Sequence, residues 1–166
     1  MNDKTIKLRR QINAVTIFFM VSLALSGITA IPARAGVCFL LEVVPASWTF
    51  AYDYLLYIRE ALFSCNSILF YGFDWLAFAH ILIALLFYGV IRDPVKNIWV
   101  IEFGMIACLL IIPFAFVMGS FRGIPIWWRL IDCSFGVFGI IPLWFIHSRV
   151  GELQKQIESE KLNTIF

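Results

Sequence analysis

Asp74 and His80 stand in "FDWLAFAHILIALLFYGVI" (73–91), a run with no other charged side chain. Ionisable groups in such surroundings are costly to hold and are functional candidates by default. A carboxylate can carry a proton, and an imidazole changes charge near neutral pH, so the pair suits proton transfer or capture of a small polar ligand. A second pair, Arg129 and Asp132, is spaced three residues apart at the start of another apolar run, which puts both on one helix face. Asp74, His80, Arg129 and Asp132 thus form a candidate polar pocket at one end of the apolar segments. Arg122 flanks the same end. Glu102, about one turn in from the opposite end of its own run, is the remaining candidate and would be the inner half of a relay. A structural reading competes and accounts for every one of these residues without a substrate. Arg129 can pair with Asp132 or Asp74 and pin two helices together. His80 shares a face with Ala77 and Ala84, suited to hydrogen bonding against a neighbouring helix. Asp132 precedes Gly136 and Gly139, a close-packing face. Glu102 fits a carboxylate in the first turn of a helix or one reaching back to water.

Redox chemistry is a further class to weigh. A bis-histidine haem needs two histidines at similar depth on facing helices. The chain holds only His80 and His147, whose depths differ by roughly 15 Å at helical rise. Such a site within one protomer is therefore disfavoured, and no cofactor or metal is expected. Of the four cysteines, Cys38 and Cys65 share one connecting segment and are a candidate disulfide in an oxidising compartment. Cys133 sits near the same end, and Cys108 is mid-segment and suited to packing. The layout resembles four-helix membrane thiol oxidases in topology alone, because no C-x-x-C is present. No P-loop, zinc spacing, nucleophile elbow or glycine-rich nucleotide motif occurs either.

The elements that must position these residues follow from composition. The chain has 166 residues, 61% hydrophobic and 14% charged, with mean hydropathy +0.88. A soluble domain carries about 25% charged residues. Four segments, 12–31, 73–91, 98–118 and 130–146, are long and apolar enough to cross a bilayer. Nine Lys and Arg flank one side of them (Lys4, Lys7, Arg9, Arg10, Arg92, Lys96, Arg149, Lys155, Lys161) and four the other (Arg34, Arg59, Arg122, Arg129). The positive-inside rule then predicts that both termini are cytoplasmic. The net charge of +2 supplies no basic patch for nucleic acid.

Local signals refine this plan. "IPARAG" offers a signal-peptidase-like Ala33-x-Ala35 before Gly36, but the preceding run is nearer a full span than a signal-peptide core. Ser22, Ser26 and Ala30 make a small-residue face suited to helix packing, so retention of the first span is expected. In "RDPVKN", Asp93 reads as an N-cap with Pro94 in the first helical turn. Gly123 and Pro125 should break the chain into a short turn, with Trp127 and Trp128 at headgroup level. Pro113 predicts a kink in the third span. The outer segment 32–72 should contain an amphipathic helix after Pro45. Trp48, Tyr52, Leu55, Leu56, Leu62 and Phe63 lie at helical spacing, with Asp53, Tyr57, Glu60 and Ser64 elsewhere on the wheel. The tail 147–166 should extend the fourth span as a solvated helix, with a short stripe of Val150, Leu153 and Ile157 for which a partner contact is the alternative.

"YGFDWLAFAHI", "RDPVKNIWVIEFGMIACLLIIPF" and "RGIPIWWRLIDCSFGVFGIIPLW" together resemble a family of small bacterial four-helix integral membrane proteins of uncharacterised activity. The resemblance spans most of the chain from the first to the fourth apolar run, and implies a bacterial inner membrane. The expected architecture is therefore all-α, a single membrane domain over 1–166. Four transmembrane helices form an antiparallel bundle, with an amphipathic helix in the outer loop. Partners are expected to be the lipid bilayer and a second copy or another membrane protein. The expected role is an assembly or interaction component rather than an enzyme. Ligand binding or proton-linked transport through the polar pocket is the alternative, and membrane redox chemistry with quinone, haem or thiols the third.

Overall fold

The computed structural model describes residues 3–165, with side chains to 162. The described chain is all-helical: α1 (Asp3–Ala30), α2 (Ala33–Val43), α3 (Thr49–Ser64), α4 (Ser67–Leu86), α5 (Tyr88–Arg92), α6 (Ile98–Phe121) and α7 (Ile126–Ile165). Four stretches are long and apolar enough to cross a membrane: Asp3–Ala30, Ser67–Arg92, Ile98–Phe121 and Ile126–Leu162. These cover the four expected spans but for Ile31, and each stretch is longer than the span expected within it. The second begins at Ser67 because Asn66 caps it, its Oδ1 accepting from the Ile68 amide at 3.1 Å. The chain falls into two compact units, 1–20 with 86–166, and 21–85.

In the first unit, the start of α1 packs with α5, α6 and α7. Leu8, Ile12, Phe87, Val90, Val100, Ile101, Leu143, Ile146, Val150 and Leu153 form a continuous core. Phe19 lies against Phe87 with ring centres 4.9 Å apart. The expected solvated tail is corrected here. Val150 and Leu153 are fully buried, and Ile157 packs against the same core. The stripe finds its partner on α1, whose Leu8 and Ile12 recur one turn apart. Thr5 Oγ1 closes the far end by donating to Glu160 Oε1 at 2.9 Å.

The "RDPVKN" turn also departs from expectation. Asn97, not Asp93, stands at the N-cap position of α6. Asp93 works one turn earlier, accepting from the Lys96 amide at 3.2 Å and pairing with its ammonium at 3.5 Å. The Asn97 amide nitrogen donates to the carbonyls of Gly89 at 3.0 Å and Asp93 at 2.9 Å. Both carbonyls also accept a backbone amide, Gly89 O from Asp93 at 3.0 Å and Asp93 O from Asn97 at 3.1 Å, so the side chain adds a second bond to each and ties the end of α5 to the start of α6.

Between α6 and α7 the turn is a Schellman motif. Ile124 N–H bonds Gly119 O at 2.9 Å and Gly123 N–H bonds Ser120 O at 3.2 Å. Gly123 has φ +66°, the left-handed conformation that a side chain disfavours. α6 passes through Pro113 and α7 through Pro142 as continuous helices.

In the second unit, α2 packs on α3, with Val37 and Leu55 buried. The sequence reading placed a helix at α3 but not α2. Arg34 joins the pieces: its Nε donates to Leu62 O at 3.1 Å, and its guanidinium lies 4.4 Å from the Phe70 ring centre. The expected small-residue face of α1 is displaced by one position. Ser22 and Ser26 are exposed, whereas Gly27 touches the Ala77 carbonyl of α4.

Candidate functional site

The four pocket candidates are distributed over both units. Asp74 and His80 belong to 21–85, and Arg129 and Asp132 to 86–166, so each pair has its own setting. Asp74, on α4, lines a shallow depression of about 220 Å³ with Tyr71, Trp75 and Phe78. Three of these are one aromatic ladder: Tyr71 meets Trp75 edge-on at 6.0 Å, and Trp75 meets Phe78 at 6.1 Å.

His80 answers to its backbone. A methyl group placed on Gly27 would lie 2.9 Å from His80 Cβ, so the root of the side chain faces α1, as its sharing a face with Ala77 suggests. The ring turns back along α4, and Nδ1 lies 2.9 Å from Leu76 O. A carbonyl can only accept, so this bond places a proton on Nδ1. The interhelical hydrogen bond expected of His80 is thus replaced by one within its own helix, which keeps the Leu76 carbonyl doubly engaged.

Arg129 does not form the expected ion pair with Asp132. Its Nε donates to Ile124 O at 2.7 Å and Nη1 to Ser120 Oγ at 2.8 Å. Both acceptors lie in the Schellman turn, where the rigid guanidinium fork finds a fixed target. Its stem crosses Gly119, where a methyl group would lie 2.7 Å from Cδ. Arg129 is therefore the clamp of the turn.

Arg122, Arg129 and Asp132 nevertheless share a cleft. It encloses about 300 Å³ and continues along α6 over Ile111, Phe114, Ala115 and Met118. Arg122 is exposed, Arg129 and Asp132 half-buried. Among the described residues no ion pair joins the carboxylate to either guanidinium. Three of the six polar candidates thus converge here, in a combination that includes the secondary candidate Arg122.

Glu102 has a partner the sequence reading did not assign. Its Oε1 lies 3.5 Å from His147 Nε2, with both side chains roughly half exposed. The signal lies in the sequence, since Glu102 stands about one turn into its run (98–118) and His147 directly follows the run 130–146. Arg149 close by forms a two-pronged contact with Glu152 at 2.9 and 3.1 Å and covers the Phe145 ring. Cys38 and Cys65 are half-buried free thiols, and Cys108 and Cys133 buried ones. Thr16, fully buried on α1, has a hydroxyl without a hydrogen-bond partner.

No protein-family model matches the chain, and no curated protein or solved structure matches it.

Proposed function

We propose that the protein is a four-span integral component of a bacterial inner membrane, acting by assembly or interaction with a second copy or another membrane protein. One observation carries this reading: three of the polar side chains on or beside the spans tie the chain to itself. His80 bonds its own helix, Arg129 clamps a turn, and Asn97 completes a helix end. The finer arrangement has its own supports. Contacts pair Glu102 with His147, and Gly104 with Leu143, Cys108 with Gly139, and Gly119 with Arg129. The numbers rise along α6 as they fall along α7, which favours an antiparallel bundle. The excess of Lys and Arg at the termini and in the 92–97 turn favours cytoplasmic ends. α3, with Leu55 inward and Asp53, Arg59 and Glu60 exposed, suits an amphipathic helix at the outer surface.

The test is chemical crosslinking in intact cells followed by extraction in mild detergent, beside reporter fusions at each terminus. The expected result is a discrete crosslinked species of fixed stoichiometry and cytoplasmic activity of both reporters. A chain that remains monomeric at every crosslinker concentration overturns the assembly reading.

The ligand-binding reading is the second, favoured by the shared cleft of Arg122, Arg129 and Asp132. Variants separate the two. Under the assembly reading, Arg122→Ala leaves the crosslinked species unchanged. Under the ligand reading, it loses a bound molecule while the fold persists.

A further inference from the structure

We propose that the cleft at the α6–α7 turn binds a phospholipid with an amine-bearing headgroup. The phosphate sits on Arg122 and Arg129, the ammonium on Asp132, and one acyl chain lies along α6. The inference rests on the ligand-binding reading of this cleft and names the ligand's class.

The polar end supplies both receptors. Arg129 commits one N–H each from Nε and Nη1 to the turn. A guanidinium has five donors, so the rest remain available, held in a fixed position by those two bonds. Arg122, the C-cap of α6, brings a second guanidinium to the same cleft. Two guanidiniums suit a phosphodiester, which accepts charge-assisted hydrogen bonds from planar donors. Asp132 lines the cleft too, yet no cation of the described chain is paired with it. A carboxylate beside a phosphate receptor repels a purely anionic headgroup. It attracts one that carries an ammonium a few bonds beyond its phosphate. Trp127 and Trp128, packed edge-on at 5.5 Å, immediately precede Arg129, as side chains of the headgroup layer do.

The apolar end excludes a water-soluble phosphate compound. Ile111, Phe114 and Met118 line the cleft and also a neighbouring groove of about 720 Å³, which continues over Phe103, Ile106 and Leu110. From Met118 to Ile106 the helix rises roughly 18 Å, against about 15 Å for half of a hydrocarbon core. The groove therefore runs the depth of one leaflet, starting beneath the two arginines, and matches a single acyl chain below its own headgroup.

The experiment uses the full chain, delipidated in detergent and titrated with an equal mixture of phosphatidylethanolamine and phosphatidylglycerol of identical acyl chains. Retained lipid is read by native mass spectrometry. Wild type should retain the ethanolamine lipid preferentially. Arg122→Ala, an exposed position whose loss leaves the turn intact, should retain roughly fivefold less lipid, as expected for one cation at the membrane surface. Asp132→Asn should keep total lipid and lose the headgroup preference. Circular dichroism confirms that both variants remain helical. Equal retention by wild type and Arg122→Ala overturns the proposal, as does preference for the glycerol headgroup. So does full displacement of lipid by millimolar inorganic phosphate, which would mean that the apolar groove contributes nothing. A non-lipid molecule that wild type holds and Arg122→Ala loses also overturns it, while leaving the ligand-binding reading in place. Empty wild-type protein overturns both.

Discussion

A methyl group added to Gly136 would stand 2.5 Å from the carbonyl oxygen of Cys108, a backbone atom that no rotamer change can move. At Gly139 the obstacle is the Cys108 thiol at 2.9 Å, and a side chain can be trimmed. Gly136→Ala should therefore destabilise the protein by about 1–3 kcal/mol, with no relief from Cys108→Ala. Gly139→Ala should be milder and largely restored in the double variant with Cys108→Ala. Thermal melts in detergent, arranged as two double-mutant cycles, test both expectations. Gly123→Ala, at φ +66°, should cost about 1–2 kcal/mol and loosen the Arg129 clamp. The glycine face beside Asp132 was legible from sequence because helical spacing alone defines it. The bonds of Arg129 were not. Two acceptors that exist only once the 119–125 turn has closed outcompete the carboxylate three residues on, and no spacing rule contains that turn's geometry.

At the scale of the helices, the extension of α7 has the clearest energetic content. Leu153 is fully buried in the core that also holds Leu8 and Ile12 of α1, so Leu153→Ala should cost about 2–5 kcal/mol. Truncation after Ser148 should additionally strip amide-exchange protection from residues 5–12, leaving that of α6 near its original level. Exchange at residues 5–12 that is unchanged by truncation would show that α1 holds its first turns unaided. The four apolar runs were readable because length and hydropathy suffice to define them. Their true ends were not: 3–11 carries Lys4, Lys7, Arg9 and Arg10, which end a hydropathy window without ending a helix, and the start of α4 is set by the Asn66 cap. The stripe of Val150, Leu153 and Ile157 was visible in the sequence. Its partner was not, for it lies at the opposite end of the chain.

For the whole molecule, between 17% and 22% of each candidate span is buried within the chain, so most of the span surface must meet lipid or another protein. In the proposed four-span arrangement, orientation across that layer would rest on the distribution of Lys and Arg. Neutralising Lys4, Lys7, Arg9 and Arg10 together should drive a fraction of chains into inverted insertion, read as loss of cytoplasmic activity from a C-terminal reporter. An unchanged reporter would place the determinant at Arg92 and Lys96 instead. Charge asymmetry and span count are whole-chain sums, which is why the sequence alone could state them. α7 adds a property no sum expresses. As a helix of 40 residues it measures roughly 60 Å, about twice the thickness of the hydrocarbon layer. In the proposed four-span arrangement a large part of it would project beyond the bilayer, with the start of α1 packed alongside. In that arrangement the paired stem would act as a spacer of fixed height, holding whatever grips its tip at a set distance from the lipid rather than on a slack tether.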